Sequence, residues 1–390
     1  MYSTFSFHLP TRIETGIGLL KSSGKLIRDA AVGNRALLVT DPGVRNAGLA
    51  DTVFYSLRKE GFSCQWFDRV EPNPKDRDCE AGGEAAREMR ADVIVAVGGG
   101  SVLDSAKAIA LIQTHGGSLR DYEGRGKVTQ SVTPVVAVPT TAGTGSEVTR
   151  SAVITDTGRM FKMTVKDVKL APFLAIVDPE TTYNLPAGIT ASTGMDALVH
   201  AIEAYTCRLA NPMSDTVALG AMRRIYPSLR EVVKNGRNEG ARFEMMLGSV
   251  LAGMAFSHSD VAAVHCMAEA LGGLYDTPHG VANSMFLPIV TAFNAEHDPV
   301  RHAGVAAACG LPVSGLSSVE AASLLVEELK KMAADIGIPT FRSLSYIRES
   351  DFECLAEASF RNGSTPSNCR EITREDYLRL FRESYKNGLS

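Results

Sequence analysis

The sequence predicts an α/β domain with a Rossmann-like parallel sheet over residues 1–185, followed by an all-helical domain over residues 186–390. Between about residues 35 and 180, short β-branched runs alternate with helical segments, which is typical of a parallel sheet covered on both faces. After residue 185 such runs nearly disappear, and the chain becomes rich in Ala, Met and Leu. A length of 390 residues with 45% hydrophobic content is enough for two cores.

The elements can be assigned in order along the chain. The strand candidates are RALLVTD, SCQWFDRV, ADVIVAVGGGS, PVVAVPTT and LAIVDP. The segment SAVITDTGRMFKMTV has the pattern of a polar-tipped hairpin, with its turn at residues 156–158. In the second half we expect helix breaks at Pro212, Pro227, Gly236 and Pro288.

Composition excludes several classes of protein. The net charge of −4, without a basic run, argues against nucleic acid as a partner. No apolar stretch reaches the length of a membrane span, and MYSTFSFHLP lacks the features of a signal peptide. Seven cysteines with no CxxC pair indicate reduced thiols in a cytoplasmic protein. We expect a homodimer or higher homo-oligomer that acts on a small molecule.

Two loops that follow predicted strands are candidates for phosphate binding. DVIVAV runs directly into Gly98, Gly99, Gly100 and Ser101, and a helix is predicted from about Val102. A helix N-terminus offers N–H groups and a positive dipole to a phosphate, although a glycine cluster can also be only a tight turn. The sequence is not GxGxxG, so the ordinary dinucleotide fingerprint is absent. The second loop, residues 139–147, is rich in hydroxyls and glycines, and two such loops favour a dinucleotide.

Asp41 ends the strand candidate RALLVTD. An acidic residue at such a strand end commonly binds an adenosine ribose and repels a 2′-phosphate. The alternative is a turn formed by Asp41, Pro42 and Gly43, and one side chain can serve both purposes.

Four residues of the second half form a candidate site for one divalent metal ion: Asp196, His200, His265 and His279. Asp196 and His200 are four residues apart in a helical pattern and therefore share a face. Three imidazoles and a carboxylate suit Fe²⁺ or Zn²⁺, whereas Ca²⁺ and Mg²⁺ prefer oxygen ligands. The alternative is that these histidines only satisfy local hydrogen bonds. Cys266, beside His265, is expected to point elsewhere on the helix.

Several stretches together resemble the iron-containing (group III) alcohol dehydrogenase family. They are VTDPGVRNAGL, EPNP, GGGSVLDSAKAIA, PTTAGTGSEVT, TGMDALVHAIEAY and VHCMAEALGGLYDTPHGVANSMFLP, in the order and spacing of the family. The resemblance implies the dehydroquinate synthase-like superfold, with an N-terminal nucleotide-binding domain, a C-terminal helical metal-binding domain and an active site in the cleft between them. It implies an oxidoreductase that uses Fe²⁺, with Zn²⁺ accepted by the same ligands, and NAD(H).

The resemblance also implies residue roles. The metal ligands would be Asp196, His200, His265 and His279, and His265 would also belong to the catalytic site. The implied cofactor contacts are Asp41, Asn73, Gly98, Gly99, Gly100, Ser101, Asp104, Thr140, Thr141, Thr144, Ser146, Thr149 and Lys162. For Lys162 the alternative is a solvated lysine of an edge strand.

The chain departs from the family pattern where a substrate pocket is expected. Many members have HxxxH where this chain has His265 and Glu269, which fall on the same helical face. Glu269 could bind a polar group of the substrate, serve the proton path or add a metal ligand; the alternative is a surface glutamate. The segment with Phe256, His258 and Asp260 is more polar than usual, and residues 365–370 lack a proline usual before the arginine.

Three functions remain open at this stage. The first is an NAD-dependent, Fe²⁺-dependent dehydrogenase of a small primary alcohol, diol or hydroxyaldehyde. The second is an enzyme of the same superfold with other chemistry, such as a maleylacetate-type reductase or a dehydroquinate-synthase-like lyase. The third is an inactive oligomeric scaffold, for which the altered Glu269 is the only support.

Overall fold

The structure, a computed structural model, describes residues 4–30, 32–159 and 161–387. The contacts between Cα atoms separate the chain into two compact units. The α/β unit comprises Leu9–Thr141 and Gly145–Asn184, and the helical unit comprises Leu185–Ser390 with Met1–His8 and Ala142–Thr144. The predicted domains, residues 1–185 and 186–390, stay a prediction.

The α/β unit contains a six-stranded sheet in which every pairing is parallel. Its strands, together with those of a smaller sheet, are β1 (Arg12–Thr15), β2 (Arg35–Val39), β3 (Ser63–Phe67), β4 (Val93–Gly98), β5 (Gly124–Arg125), β6 (Val135–Pro139), β7 (Ser151–Asp156), β8 (Phe161–Lys166) and β9 (Leu174–Val177). The order in the large sheet is β1-β9-β6-β4-β2-β3. All residues of β4, β6 and β9 are buried, which explains their continuous apolar sequences. The fold class and all five strand candidates are therefore confirmed.

The helices of the α/β unit connect these strands. They are α1 (Ser23–Asp29), α2 (Pro42–Asn46), α3 (Leu49–Lys59), α4 (Asp76–Glu88) and α5 (Gly100–His115). Helix α5 begins two residues before the predicted Val102 and is buried over most of its length, because it packs directly on the sheet.

The smaller sheet has the order β5-β8-β7 and contains the predicted hairpin. β7 and β8 are antiparallel, with Asp156 paired to Phe161 next to the turn. The Asp156 carboxylate accepts hydrogen bonds from the backbone N–H groups of Gly158 and Arg159 and from the guanidinium of Arg120. The turn is therefore fixed by one buried acid.

The helical unit is built from helices throughout its described part after residue 185. They are α6 (Ala187–Thr206), α7 (Pro212–Lys234), α8 (Glu239–Ser257), α9 (Ala263–Tyr275), α10 (His279–Ala295), α11 (Pro299–Ala308), α12 (Ser318–Asp335), α13 (Phe352–Phe360) and α14 (Arg374–Asn387). Helix α7 begins at Pro212, where the Asn211 side chain caps it, and Gly236 lies between α7 and α8.

The helix breaks predicted at Pro227 and Pro288 are wrong, because both prolines lie inside helices. A proline removes one backbone hydrogen bond and strains the preceding turn. In α10 the neighbouring Phe286 and Leu287 are fully buried, and in α7 Tyr226 and Leu229 pack inward. Tertiary packing of these faces outweighs the local cost.

All seven cysteines are free thiols, and only Cys354 is exposed. Cys79, Cys207, Cys266 and Cys309 are buried, and the other two are half-buried. Among the described residues, no helix has both the length and the apolar character needed to cross a membrane.

Candidate active site

Helix α6 carries two of the four predicted metal ligands. Asp196 and His200 lie one turn apart and are both buried, with His200 Nδ1 4.0 Å from Asp196 Oδ2. The ring of Phe256, at the end of α8, stacks on the imidazole of His200 with ring centroids 4.3 Å apart. Phe256 therefore forms an apolar wall beside the ligand cluster.

The other two ligands come from α9 and α10. His265 Nε2 lies 3.0 Å from His200 Nε2, and His279 Nε2 lies 3.8 Å from Asp196 Oδ1. His279 is the first residue of α10 rather than part of a turn. One ligand atom of each residue lies within 4.8 Å of those of the other three. Ligands at about 2.0–2.2 Å from one tetrahedral ion would have such separations, so the residues present fit Fe²⁺ or Zn²⁺.

Three of the four side chains of the cluster are buried. Side-chain exposure is 2% for Asp196, 6% for His200 and 4% for His265, but 29% for His279. An approach to the cluster therefore lies on the His279 side.

The electrostatics of the cluster keep a nitrogen lone pair available at His200. Burial lowers the pKa of His200 to about 4, which leaves its imidazole neutral at pH 7. Burial would raise the pKa of Asp196, but His200 and His279 outweigh it and hold that pKa low. A neutral imidazole and an ionised carboxylate are the forms that bind a metal.

Two contacts of the cluster were not predicted from the sequence. Glu203 Oε2 lies 2.6 Å from His265 Nδ1, and Asn283 Nδ2 donates to Asp196 Oδ1 at 2.6 Å. The only sequence signal was spacing: Glu203 follows Asp196 by seven residues on the same face of α6, and Asn283 follows His279 by four.

Glu269 lies one turn after His265 on α9 and is half-buried. Its Oε2 accepts a hydrogen bond of 2.5 Å from Asn362 Nδ2, which follows α13. Burial would lower the pKa of His265, but nearby carboxylates outweigh burial and raise that pKa. The largest contribution is from Glu203, followed by Asp196 and Glu269. Glu269 is thus one of three carboxylates that raise the pKa of His265.

The two other predicted pocket residues have internal partners. The ring of His258 stacks on Phe7 at 3.9 Å, and its nitrogens lie 2.7 and 2.9 Å from the carbonyl oxygens of Met254 and His8. Asp260 accepts from Ser367 Oγ at 2.8 Å. A substrate contact for His258 and Asp260 stays a prediction.

In the α/β unit, β6, β4 and β2 are neighbours, so their carboxyl ends lie side by side. Asp41 follows β2 and caps α2, because its Oδ1 accepts from Val44 N at 2.9 Å. Thr140 follows β6, and its N–H donates to Gly98 O at the end of β4. The segment for which a turn was the alternative is the start of α2, which the Asp41 carboxylate caps. Because β2 and β4 are neighbours, Asp41 and residues 98–101, the glycine loop, lie at the same edge of the sheet.

In the glycine loop a side chain has no room at Gly98 and little room at Gly99. A Cβ at Gly98 would lie 2.5 Å from Val102 Cβ, and one at Gly99 would lie 3.3 Å from the Thr141 side chain. The first N–H groups of α5, from Gly100 and Ser101, precede the first intrahelical hydrogen bonds. This arrangement suits an anion at the start of α5.

Three of the predicted cofactor contacts surround a buried lysine that the prediction overlooked. Lys107 Nζ donates to Ser146 Oγ at 2.6 Å and Thr149 Oγ1 at 3.1 Å, and lies 3.4 Å from Asp104 Oδ1. Asp104 also accepts from Ser146 Oγ and from Val153 N. We call Asp104, Lys107, Ser146 and Thr149 the lysine cluster. Two further predicted contacts, Asn73 and Lys162, are joined by a hydrogen bond of 2.8 Å.

Thr144 belongs to the short segment Ala142–Thr144, which clusters with the helical unit. In that segment a Cβ at Gly143 would lie 2.8 Å from Thr193 Cβ on α6.

A parallel-sheet unit with glycine- and hydroxyl-rich loops at its strand ends, and a helical unit with a cluster of three histidines and one aspartate, are the features expected of a metal-dependent oxidoreductase. Comparison with known proteins agrees. Residues 10–179 match the family described as iron-containing alcohol dehydrogenase, and residues 190–385 match the C-terminal part of the Fe-containing alcohol dehydrogenase family. The chain belongs to the iron-containing alcohol dehydrogenase family.

Relatives cover nearly the whole chain. The 1,3-propanediol dehydrogenase of Citrobacter freundii is 42% identical over 90% of this chain and 92% of its own. The NAD-dependent methanol dehydrogenase of Bacillus methanolicus is 38% identical over 97% and 99%. The crystal structure of a 1,3-propanediol oxidoreductase superposes with a TM-score of 0.95, at 40% identity over 98% and 100%. The sulfoacetaldehyde reductase of Bifidobacterium kashiwanohense, in complex with NAD⁺, gives 0.86, at 28% identity over 98% and 99%.

Proposed function

We propose that this protein is an Fe²⁺-dependent, NAD(H)-linked dehydrogenase of a small primary alcohol, diol or hydroxyaldehyde. The observation that carries the proposal is the set of four ligand atoms that lie within 4.8 Å of one another. Relatives named as 1,3-propanediol and methanol dehydrogenases support the substrate class. An iron-containing family and a relative solved with NAD⁺ support the cofactors.

Asp196, His200, His265 and His279 would hold the ion. When bound, such an ion supplies Lewis acidity to a substrate oxygen, and the nicotinamide exchanges the hydride. Phe256 stacks on His200 and would help to keep water from that side of the cluster. His279 is partly exposed, so a substrate would enter on its side of the cluster. Zn²⁺ fits the same ligands.

The cofactor would bind at the carboxyl ends of β2, β4 and β6. The N–H groups at the start of α5 would receive a phosphate, and the Asp41 carboxylate would bind the adenosine ribose. Asn73 and Lys162, already joined to each other, would add a polar contact.

A direct test uses an assay of NADH formation with short alcohols. We expect the enzyme to be inactive after a chelator has removed its metal, and added Fe²⁺ to restore turnover. His200→Ala should lose bound metal and activity, because the Lewis acid accounts for several kcal/mol of the barrier.

The matched control is His302→Ala. His302 is an equally buried histidine of the same unit, but it bonds only the Asp298 carbonyl oxygen in the described contacts. Metal content and turnover should stay near wild type in this variant. A His200→Ala enzyme that retains both would contradict the proposed function.

Glu269 would select substrates with a second hydroxyl. Asn362 occupies Oε2, so a diol or hydroxyaldehyde can donate its second hydroxyl to Oε1. Glu269→Ala should then cost roughly 1.5–3 kcal/mol in kcat/KM on 1,3-propanediol and little on 1-propanol. Equal losses on both would place Glu269 in the proton path or at the metal instead. Unchanged kinetics on both would exclude it from the pocket.

We further propose a cytoplasmic location, which the seven free thiols support. A homo-oligomeric state is also proposed, and light scattering after size exclusion would measure it. The net charge of −4 supports a protein without a nucleic-acid partner.

A further inference from the structure

Helix α9 begins without a capping side chain of its own. Its N-cap residue is Ala262, whose methyl group accepts no hydrogen bond. The backbone N–H groups of Ala262 and Val264 instead donate to Glu203 Oε2 at 2.9 Å and Oε1 at 2.7 Å. Glu203 lies on α6, so the start of α9 is capped by a carboxylate from another helix.

The same carboxylate holds the imidazole of His265. Glu203 Oε2 lies 2.6 Å from His265 Nδ1, and both residues are buried. An ionised carboxylate only accepts hydrogen bonds, so Nδ1 must carry the proton. When this ring is neutral, its lone pair is therefore on Nε2, the atom that lies 3.0 Å from His200 Nε2.

From these contacts we propose that Glu203 is a positioning residue of the metal centre. It fixes His265 in the tautomer that can bind the ion, and it joins the helix of Asp196 and His200 to the helix of His265. Carboxylate partners of metal-binding histidines orient the ring and raise its basicity. The inference rests on the metal centre proposed above.

Glutamine at position 203 separates this role from packing. It has nearly the same size, but it offers one acceptor oxygen and one NH₂ donor. If the amide oxygen takes the place of Oε1, it keeps the Val264 N–H, and the NH₂ faces the Ala262 N–H and His265 Nδ1, which can then accept only with the proton on Nε2. If the oxygen takes the place of Oε2, it keeps the Ala262 N–H and the His265 Nδ1–H, and the NH₂ opposes the Val264 N–H. In both orientations the negative charge that raises the basicity of His265 is lost, so metal binding is impaired.

The experiment measures metal affinity apart from activity. Metal-free wild type, Glu203→Gln and Glu244→Gln are titrated with Zn²⁺ against a chromophoric chelator, and the thermal unfolding of each metal-free protein is recorded. Glu244→Gln is the control, because it removes the same charge from a surface pair with Arg224 at 2.7 Å. We expect Glu203→Gln to bind Zn²⁺ about 10- to 100-fold more weakly than wild type. The control should match wild type.

A double-mutant cycle then tests whether Glu203 acts through His265. In a His265→Ala background, Glu203→Gln should cause little further loss of Zn²⁺ affinity. Full additivity of the two losses would overturn the positioning role. If Glu203→Gln does not fold, ¹⁵N-histidine spectra of Zn²⁺-loaded wild type decide the question. His265 coordinated through Nε2 with a proton on Nδ1 is expected, and coordination through Nδ1 would overturn the inference.

The outcomes separate the two proposals. Wild type that binds no Zn²⁺ or Fe²⁺ would overturn the metal centre itself. Wild type that binds one ion, with Glu203→Gln equal to it, would leave the metal centre standing and overturn only the role of Glu203.

Discussion

At the scale of single residues, the side chains of the cluster differ in what the sequence could reveal about them. Asp196 and His200 are recognisable from helical spacing alone, because both are on one helix. The partnership of Glu203 with His265 could not be predicted, since it requires the uncapped start of α9 to lie against α6. Likewise, one of the two hydrogen-bond contacts of the His258 ring is with the carbonyl oxygen of His8, 250 positions earlier in the chain.

Asp41 provides a prediction about cofactor choice. The wild-type enzyme should prefer NAD(H), because the Asp41 carboxylate would repel a 2′-phosphate. Asp41→Gly should relax or reverse this preference, with a modest loss of stability from the lost cap of α2. The ratio of kcat/KM for NAD⁺ and NADP⁺ is the measurement. A wild-type enzyme that prefers NADPH would contradict the assignment.

At the scale of elements, the lysine cluster connects α5 to the loop that follows β6. Lys107 is fully buried, and its ammonium is surrounded by oxygens of Ser146, Thr149 and Ser151. Lys107→Met should release this loop, and we expect KM for NAD⁺ to rise more than kcat falls. The loss of charged hydrogen bonds corresponds to about 1.5–3 kcal/mol.

The control for this variant is Lys169→Met. Lys169 also donates to a backbone carbonyl, that of Val128, but is partly exposed. Its KM for NAD⁺ should stay near wild type. A Lys107→Met enzyme with wild-type KM would mean that the lysine cluster does not support the cofactor loop.

The β7–β8 hairpin should respond to acid through Asp156. Burial alone would raise the pKa of Asp156, but the bonds from Arg120 and Arg159 hold it well below its usual range. A lowered carboxyl pKa stabilises the fold above the unfolded pKa of about 4, and this stability is lost as the pH falls further. Asp156→Asn should therefore lower the Tm by a few degrees at pH 7, and the difference from wild type should shrink below about pH 4. A difference independent of pH would contradict this.

Element prediction failed where local rules compete with packing. Strand β1 was missed because it is four residues long, polar and paired only with β9 within the described sheet. The prediction of helix breaks at Pro227 and Pro288 used only the local cost of a proline in a helix. The burial of the neighbouring side chains, which offsets this cost, cannot be read from the sequence.

At the scale of the whole molecule, all four proposed metal ligands belong to the helical unit. Metal at about 100 times Kd should stabilise that unit by about 2.7 kcal/mol. Hydrogen exchange should therefore slow in α6, α9 and α10 when Zn²⁺ is added, with the strands of the six-stranded sheet little changed. Equal slowing in both units would contradict a ligand set confined to one of them.

The distribution of thiols has a practical consequence for labelling. Burial raises the pKa of Cys64, Cys207 and Cys369 to about 11 and that of Cys79 and Cys309 to about 12, and that of Cys266 is also raised. Maleimide reagents react with thiolates, so these six side chains should react slowly near pH 7. Cys354 is exposed on α13, the helix that Asn362 follows. A single fluorophore can thus be attached to the native sequence, close to the residue that holds Glu269, to follow substrate binding by its emission.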